Sequence, residues 1–183
     1  MQYEVQHPLI LLFYEKSDAT EKTDYNKPPK EETTMGLDYM IYKRNKQTGE
    51  ETELAYGRKS WELVEELDML PRDIDQYEYP LKKERWLGLM KKISTIAPYL
   101  EKIADAYHKY YWCDDEEDEI ILTKEEKRLM KCYEYWFDNN FSQGPQLGYD
   151  FSVGYMLNFW EAAGPVLEAL DDENYEVYGV VSF

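Results

Sequence analysis

Alternating apolar and polar residues between positions 35 and 61 predict a β-hairpin that runs directly into a helix. The residues from Tyr39 to Arg44 include aromatic and branched side chains, which favour a pleated strand. In such a strand, successive side chains would point to opposite faces of the sheet. The polar segment 45–51 carries a glycine near its tip and suits a hairpin loop. Thr52–Tyr56 is the predicted return strand, and Ser60 is placed to cap the helix that follows.

The rest of the pattern predicts two further strands and several helices. An apolar run at 8–14 reads as a buried strand, and valines at 175–183 indicate a final strand. The helix after the hairpin spans 60–69. Apolar residues recur at helical spacing in four further segments: 80–95, 99–112, 123–138 and 152–170. A kink is expected in the last of them, at Gly164-Pro165. These elements add up to an α+β fold. Its small antiparallel sheet comprises the hairpin 37–56 and the N- and C-terminal strands, packed by four to five helices.

The chain length fits one domain, and the composition fits a protein of the cytoplasm. A chain of 183 residues can fold around a single core, so we expect one domain at 1–183, with residues 1–34 as an N-terminal extension in the alternative. The apolar run at 8–14 is too short for a membrane span, which needs about 20 residues, and it has no basic leader of a signal peptide. Two cysteines do not make a disulfide framework, so we expect free thiols.

The negative charge is strong and lies toward the C-terminus. The net charge is −17, and all 21 lysines and arginines lie at or before Lys131. Such a field disfavours nucleic acid and anionic membranes as direct ligands and favours a basic protein partner. The predicted partner-binding residues are an acidic run and a later cluster: Asp114, Asp115, Glu116, Glu117, Asp118, Glu119, Asp171, Asp172 and Glu173. In the alternative, the acidity serves solubility alone.

One histidine and two cysteines form a candidate metal site. Zinc binds histidine, cysteine and carboxylate in tetrahedral sets, so His108, Cys113 and Cys132 with one carboxylate make a candidate zinc site. The spacing also fits two core thiols and a surface histidine. We expect no cofactor, with zinc as the alternative.

Sequence signatures of catalysis are absent from the chain. It has no phosphate-cradling glycine loop and no serine in a nucleophile-elbow motif. We therefore expect a protein inhibitor or interaction protein rather than an enzyme.

The segment beginning at Met35 resembles a family of small phage and prophage proteins. Members of that family open with MGLDMYLYK and soon reach a Y-W-R-K motif; here the matching residues are Met35, Gly36, Leu37, Asp38, Tyr39, Met40, Tyr42 and Lys43, then Tyr56, Arg58 and Lys59. Gly57 stands where the family usually has tryptophan. The resemblance covers about 25 residues and implies a phage accessory protein.

The phage resemblance and the acidic charge together lead to one functional expectation. By its profile the chain resembles an anti-CRISPR protein that binds a type II RNA-guided DNA nuclease, whose heteroduplex channel is strongly positive, and blocks DNA loading. It would act in the cytoplasm of an infected or lysogenic bacterial host. The alternatives are a zinc-containing or metal-dependent small protein, or a phage accessory or assembly protein.

Overall fold

A computed structural model describes residues 37–70, 78–112, 122–142, 144–145 and 147–182. All of them belong to one compact unit, Met35–Phe183. They form a four-stranded antiparallel sheet and five α-helices, which confirms the predicted α+β class. The predicted strand at 8–14 lies outside the described residues. None of the helices in the described ranges is long and apolar enough to cross a membrane.

The sheet is built around the predicted hairpin. Its strands are β1 (Asp38–Asn45), β2 (Glu51–Gly57), β3 (Glu78–Pro80) and β4 (Tyr175–Ser182), in the order β2-β1-β4-β3. The side-chain oxygen of Asn45 accepts hydrogen bonds from the next turn, and Gly49 adopts φ 73°, which closes the hairpin. A bulge lies where β2 pairs with Ile41 and Tyr42 of β1.

The edge strand β3 was not predicted from the sequence, which indicated a helix from position 80. The structure pairs Glu78–Pro80 with β4 and begins the helix at Lys83. A proline has no N–H to donate, and an edge strand tolerates it because one side of the strand needs no donor. Tyr79 anchors the strand because its side chain is buried.

The five helices follow the predicted periodicity, with shifted ends. They are α1 (Trp61–Glu66), α2 (Lys83–Ile93), α3 (Leu100–Trp112), α4 (Lys124–Asn140) and α5 (Tyr149–Asp171), with a 3-10 turn at Ala97–Tyr99 before α3. Thr123 and Glu126 form a capping box at the start of α4. Helix α5 starts three residues earlier than predicted and is assigned as one helix through Pro165.

The helices cover one face of the sheet, where the core lies. Tyr39 and Ile41 of β1 are fully buried on this inner face. The largest buried side chain is Trp86 of α2, whose ring packs 4.5 Å from that of Phe159 on α5. Its Nε1 donates to the Ala163 carbonyl at 3.1 Å, so the buried indole is satisfied. The opposite, outer face of the sheet carries the polar chemistry.

Candidate functional site

The structure describes only part of the predicted partner-binding set. The acidic run 114–119 lies outside the described residues. The cluster Asp171–Glu173 lies at the C-terminal end of α5 and in the turn into β4. The carboxylate of Asp171 pairs with Lys83, and Asp172 Oδ1 accepts two hydrogen bonds from Asn174. Lys46 donates to the Glu173 carbonyl at 2.9 Å. Two of these carboxylates are therefore used within the fold: Asp171 ties α5 to α2, and Asp172 closes the turn into β4, whereas Glu173 contacts the hairpin through its backbone carbonyl.

The candidate metal ligands are not drawn together among the described residues. His108 on α3 is exposed, and Cys132 on α4 is a half-buried free thiol. Cys113 lies outside the described ranges. Within those ranges, no group of three or more histidine, cysteine or carboxylate residues is arranged to hold a metal ion.

The outer face of the sheet combines tyrosines with carboxylates. Strand register places alternate residues of all four strands on this face: Asp38, Met40, Tyr42, Arg44, Glu51, Glu53, Tyr56, Glu78, Glu176, Tyr178 and Val180. We call this set the tyrosine–carboxylate face. It holds five acids and, among these strand residues, one base.

Two tyrosines of this face donate directly to neighbouring carboxylates. The Tyr56 hydroxyl donates to Asp38 Oδ2 at 3.0 Å, and that of Tyr42 donates to Glu53 Oε2 at 3.4 Å. The hydrogen bond to Asp38 raises the pKa of Tyr56. The hydroxyl therefore stays a donor at neutral pH, and the carboxylates keep further lone pairs for incoming donors.

Arg44 shows how the tyrosine–carboxylate face holds a cation. From β1 its guanidinium bonds Glu51 on β2 at 2.7 Å and Glu78 on β3 at 2.7 Å, and it lies 3.6 Å from Glu176 on β4. It also lies over the ring of Tyr178, 4.4 Å from the centroid. Hydrogen bonds to Glu78 and then to Glu51 raise its pKa. Three carboxylates share one positive charge, so this part of the face stays negative.

An open groove of about 330 Å³ lies between β2 and α5, beside the tyrosine–carboxylate face. We call it the β2–α5 groove. It is lined on one wall by Leu54, Ala55 and Tyr56 and on the other by Asn158, Glu161, Ala162 and Pro165. The Tyr56 side chain is 45% exposed. Leu54, Ala55, Ala162 and Pro165 contribute apolar atoms to the lining, Asn158 contributes polar atoms, and Glu161 supplies negative charge.

The exposed side of α5 carries further acids. Glu161, Glu168 and Asp171 are exposed, and their spacing of seven and three residues places them along one side of the helix. Neither α5 nor β4 contains a lysine or arginine. This helix and the tyrosine–carboxylate face therefore flank the β2–α5 groove with negative charge.

A second polar set is buried between helices α1, α4 and α5. The Tyr155 hydroxyl donates to Glu62 at 2.6 Å, and Glu62 also lines a cavity of about 30 Å³, enough for about one water molecule. Ser152 Oγ donates to the Tyr149 carbonyl at 2.8 Å, so the Tyr133 hydroxyl, 2.8 Å from the same Oγ, is the donor of that pair. Burial raises the pKa of Tyr155 and of Tyr133. Both hydroxyls stay protonated at neutral pH, so the set can hold the helices in register.

Comparison of the chain with known protein families, curated proteins and solved structures finds no match. The candidate site therefore depends on the chemistry of the described residues.

Sequence reasoning missed both the tyrosine–carboxylate face and the β2–α5 groove. The alternation of Asp38, Met40, Tyr42 and Arg44 shows that these residues share a face, but not which acids on other strands oppose them. The groove joins residues more than a hundred positions apart, which no local pattern reveals.

Proposed function

We propose that this chain is a phage- or prophage-encoded acidic inhibitor that binds a basic, nucleic-acid-handling host defence protein. The favoured target is a type II RNA-guided DNA nuclease, whose DNA loading the inhibitor blocks, as an anti-CRISPR protein does. It acts in the cytoplasm of an infected or lysogenic bacterial host. Its mode is binding rather than catalysis.

The observation that carries this proposal is the one-sided charge. After Lys131 the chain has 9 acidic residues and no lysine or arginine. In the fold these residues include the exposed acids of α5 and Glu176 on the tyrosine–carboxylate face. A surface of this sign repels the phosphate backbone and attracts a protein groove built to hold it.

Two further features support the same function. The resemblance of the segment from Met35 onward to phage proteins supports a role against bacterial defences. The tyrosines supply large, stiff contact surfaces of the kind enriched at protein interfaces. A positively charged heteroduplex channel is the complementary surface in a type II nuclease.

The test is capture of a guide-loaded type II nuclease by the immobilised full chain, with and without target DNA. We expect capture at low salt, loss of capture when target DNA is bound first, and weaker capture as salt rises. Capture that target DNA leaves unchanged would overturn the loading block. Failure to capture any of several such nucleases at low salt would overturn the proposed target and favour an accessory or assembly role.

A charge-neutralised pair of variants locates the contact. Replacing the six acids at 114–119 by Asn and Gln should leave folding intact and weaken both capture and its salt dependence. The matched control neutralises six exposed acids elsewhere: Glu50, Glu65, Glu84, Glu101, Asp105 and Glu125. Equal capture by the two variants would contradict the assignment of the run at 114–119.

Metal analysis of untagged protein tests the zinc alternative. Structural zinc binds with large apparent free energies, so it would survive purification. A stoichiometric zinc content would favour a zinc site at His108, Cys113 and Cys132 over the proposed inhibitor function.

A further inference from the structure

We propose that the β2–α5 groove receives an arginine-bearing extended segment of the basic partner. This inference rests on the proposed function and names the surface and the chemistry of the contact. The occupant lies along the edge strand β2 and places a guanidinium against the Glu161 carboxylate.

Arg44 supplies the internal precedent for such a contact. Its guanidinium is held by a tyrosine ring, 4.4 Å away, together with glutamates at 2.7 Å. Glu161 brings a carboxylate to the wall of the β2–α5 groove, whereas the Tyr56 ring lies on the outer face with its hydroxyl on Asp38. An arginine suits the place better than a lysine because its planar guanidinium offers five donors in a fixed fork that matches a carboxylate.

The groove also offers more acceptors than donors. Pro165 has no N–H, so it cannot donate to the carbonyl of Glu161, four residues earlier in α5. Both residues line the groove, beside the Asn158 side chain. A donor-rich side chain complements this wall.

The position of β2 favours an extended occupant. It is the outermost strand of the described sheet, so alternate residues direct their N–H and C=O groups away from β1. An extended segment can add to such an edge by main-chain hydrogen bonds while its side chains enter adjacent pockets. The apolar lining from Leu54, Ala55 and Ala162 accommodates the aliphatic part of the arginine side chain.

Charge decides between a foreign partner and a second copy of the chain. Each copy carries a net charge of −17, and Glu51, Glu53 and Glu161 lie on or beside this edge. Pairing two copies edge to edge would bring these acids together, which costs free energy. A basic segment reverses the sign of every one of these interactions.

The test uses the full chain and a defined probe, an acetylated and amidated octapeptide of alternating arginine and valine. Amide chemical shifts of the labelled protein map the contact, and fluorescence anisotropy of a labelled peptide gives its Kd. Two control peptides replace every arginine by glutamate, or group the four arginines before the four valines. We expect the alternating arginine peptide to bind more tightly than both controls, with shifts centred on 54–56 and 158–165.

A matched pair of variants separates the groove from general attraction. Glu161→Arg reverses a charge that lines the groove, whereas Glu168→Arg makes the same change two turns along the same exposed side of α5. We expect a Kd at least about tenfold weaker for Glu161→Arg and at most about twofold weaker for Glu168→Arg. Equal losses in both variants, or shifts centred elsewhere, would overturn the inference.

The same variants distinguish failure of the groove from failure of the proposed function. Nuclease capture by Glu161→Arg at the wild-type level would reject the groove and leave the inhibitor in place. If the protein binds the peptide specifically in the groove but captures no nuclease, the groove stands as a binding site and the nuclease is rejected as its target.

Discussion

Individual residues of the sheet are fitted to one another closely enough that one missing atom matters. Gly57 ends β2 opposite Tyr39, whose ring is fully buried. A Cβ added to Gly57 would lie 2.2 Å from Cε1 of that ring. The sequence predicted the end of the strand at Tyr56, and the structure shows why a glycine follows: the ring from the neighbouring strand fills the space.

Gly57→Ala should therefore destabilise the protein by about 1–3 kcal/mol, the usual cost of overpacking a well-packed core. Urea unfolding measures the effect. Gly88→Ala is the control, because no atom lies within 4 Å of a Cβ at that position in helix α2. The control should gain about 0.5–1 kcal/mol from helix propensity. A Gly57→Ala variant as stable as wild type would contradict this packing.

Whole elements were predictable where their signal is local. The helical periodicity and the capping box of α4 depend on residues within one or two turns, so the sequence located these elements. The strand β3 has three residues and no alternation to recognise, and only its pairing with β4 defines it. The start of α5 was set too late because Gly148, at φ 100°, rather than a side-chain cap, precedes its first residue.

The capping box of α4 should give a pH-dependent contribution to stability. The backbone N–H of Thr123, then its side chain, and Lys109 hold the pKa of Glu126 below its usual range. A carboxyl whose pKa is lower in the folded state stabilises the fold above its unfolded pKa of about 4.3, and this contribution is lost as pH falls through the folded value.

Glu126→Gln, which keeps a side-chain acceptor for the cap, should therefore be less stable than wild type at pH 7. The difference should shrink as pH falls below about 4.3 and vanish once the carboxyl is protonated in both states. Urea unfolding across this pH range checks this, with Glu125→Gln as the neighbouring control. A stability difference that grows as pH falls would contradict the assignment.

The whole molecule is dominated by charge, which the sequence already revealed. The net charge and its bias toward the C-terminus are properties of composition and order. Their arrangement around the β2–α5 groove depends on α5 packing beside β2, two elements about a hundred residues apart. The kind of partner therefore stays a prediction from the sequence, and the structure was needed for the candidate surface.

Self-repulsion at net charge −17 should make the fold more stable when salt is added. Raising the salt concentration from 0.01 M to 0.1 M shortens the screening length from about 30 Å to about 10 Å. The Tm at pH 7 should rise by roughly 2–4 °C, equivalent to about 1 kcal/mol for a chain of this size. The variant neutralised at 114–119 should rise less. A Tm that falls with salt would show that attractive ion pairs outweigh the repulsion.

The pairing of β1 with β4 has a consequence for how the chain reaches its folded state. The hairpin strands are neighbours in sequence, but β1 is also bonded along its full length to β4, from Asp38 opposite Ser182 to Asn45 opposite Tyr175. During synthesis the hairpin emerges from the ribosome long before its second partner. Closing so long a loop is slow, and an unpaired strand edge invites aggregation in the interval.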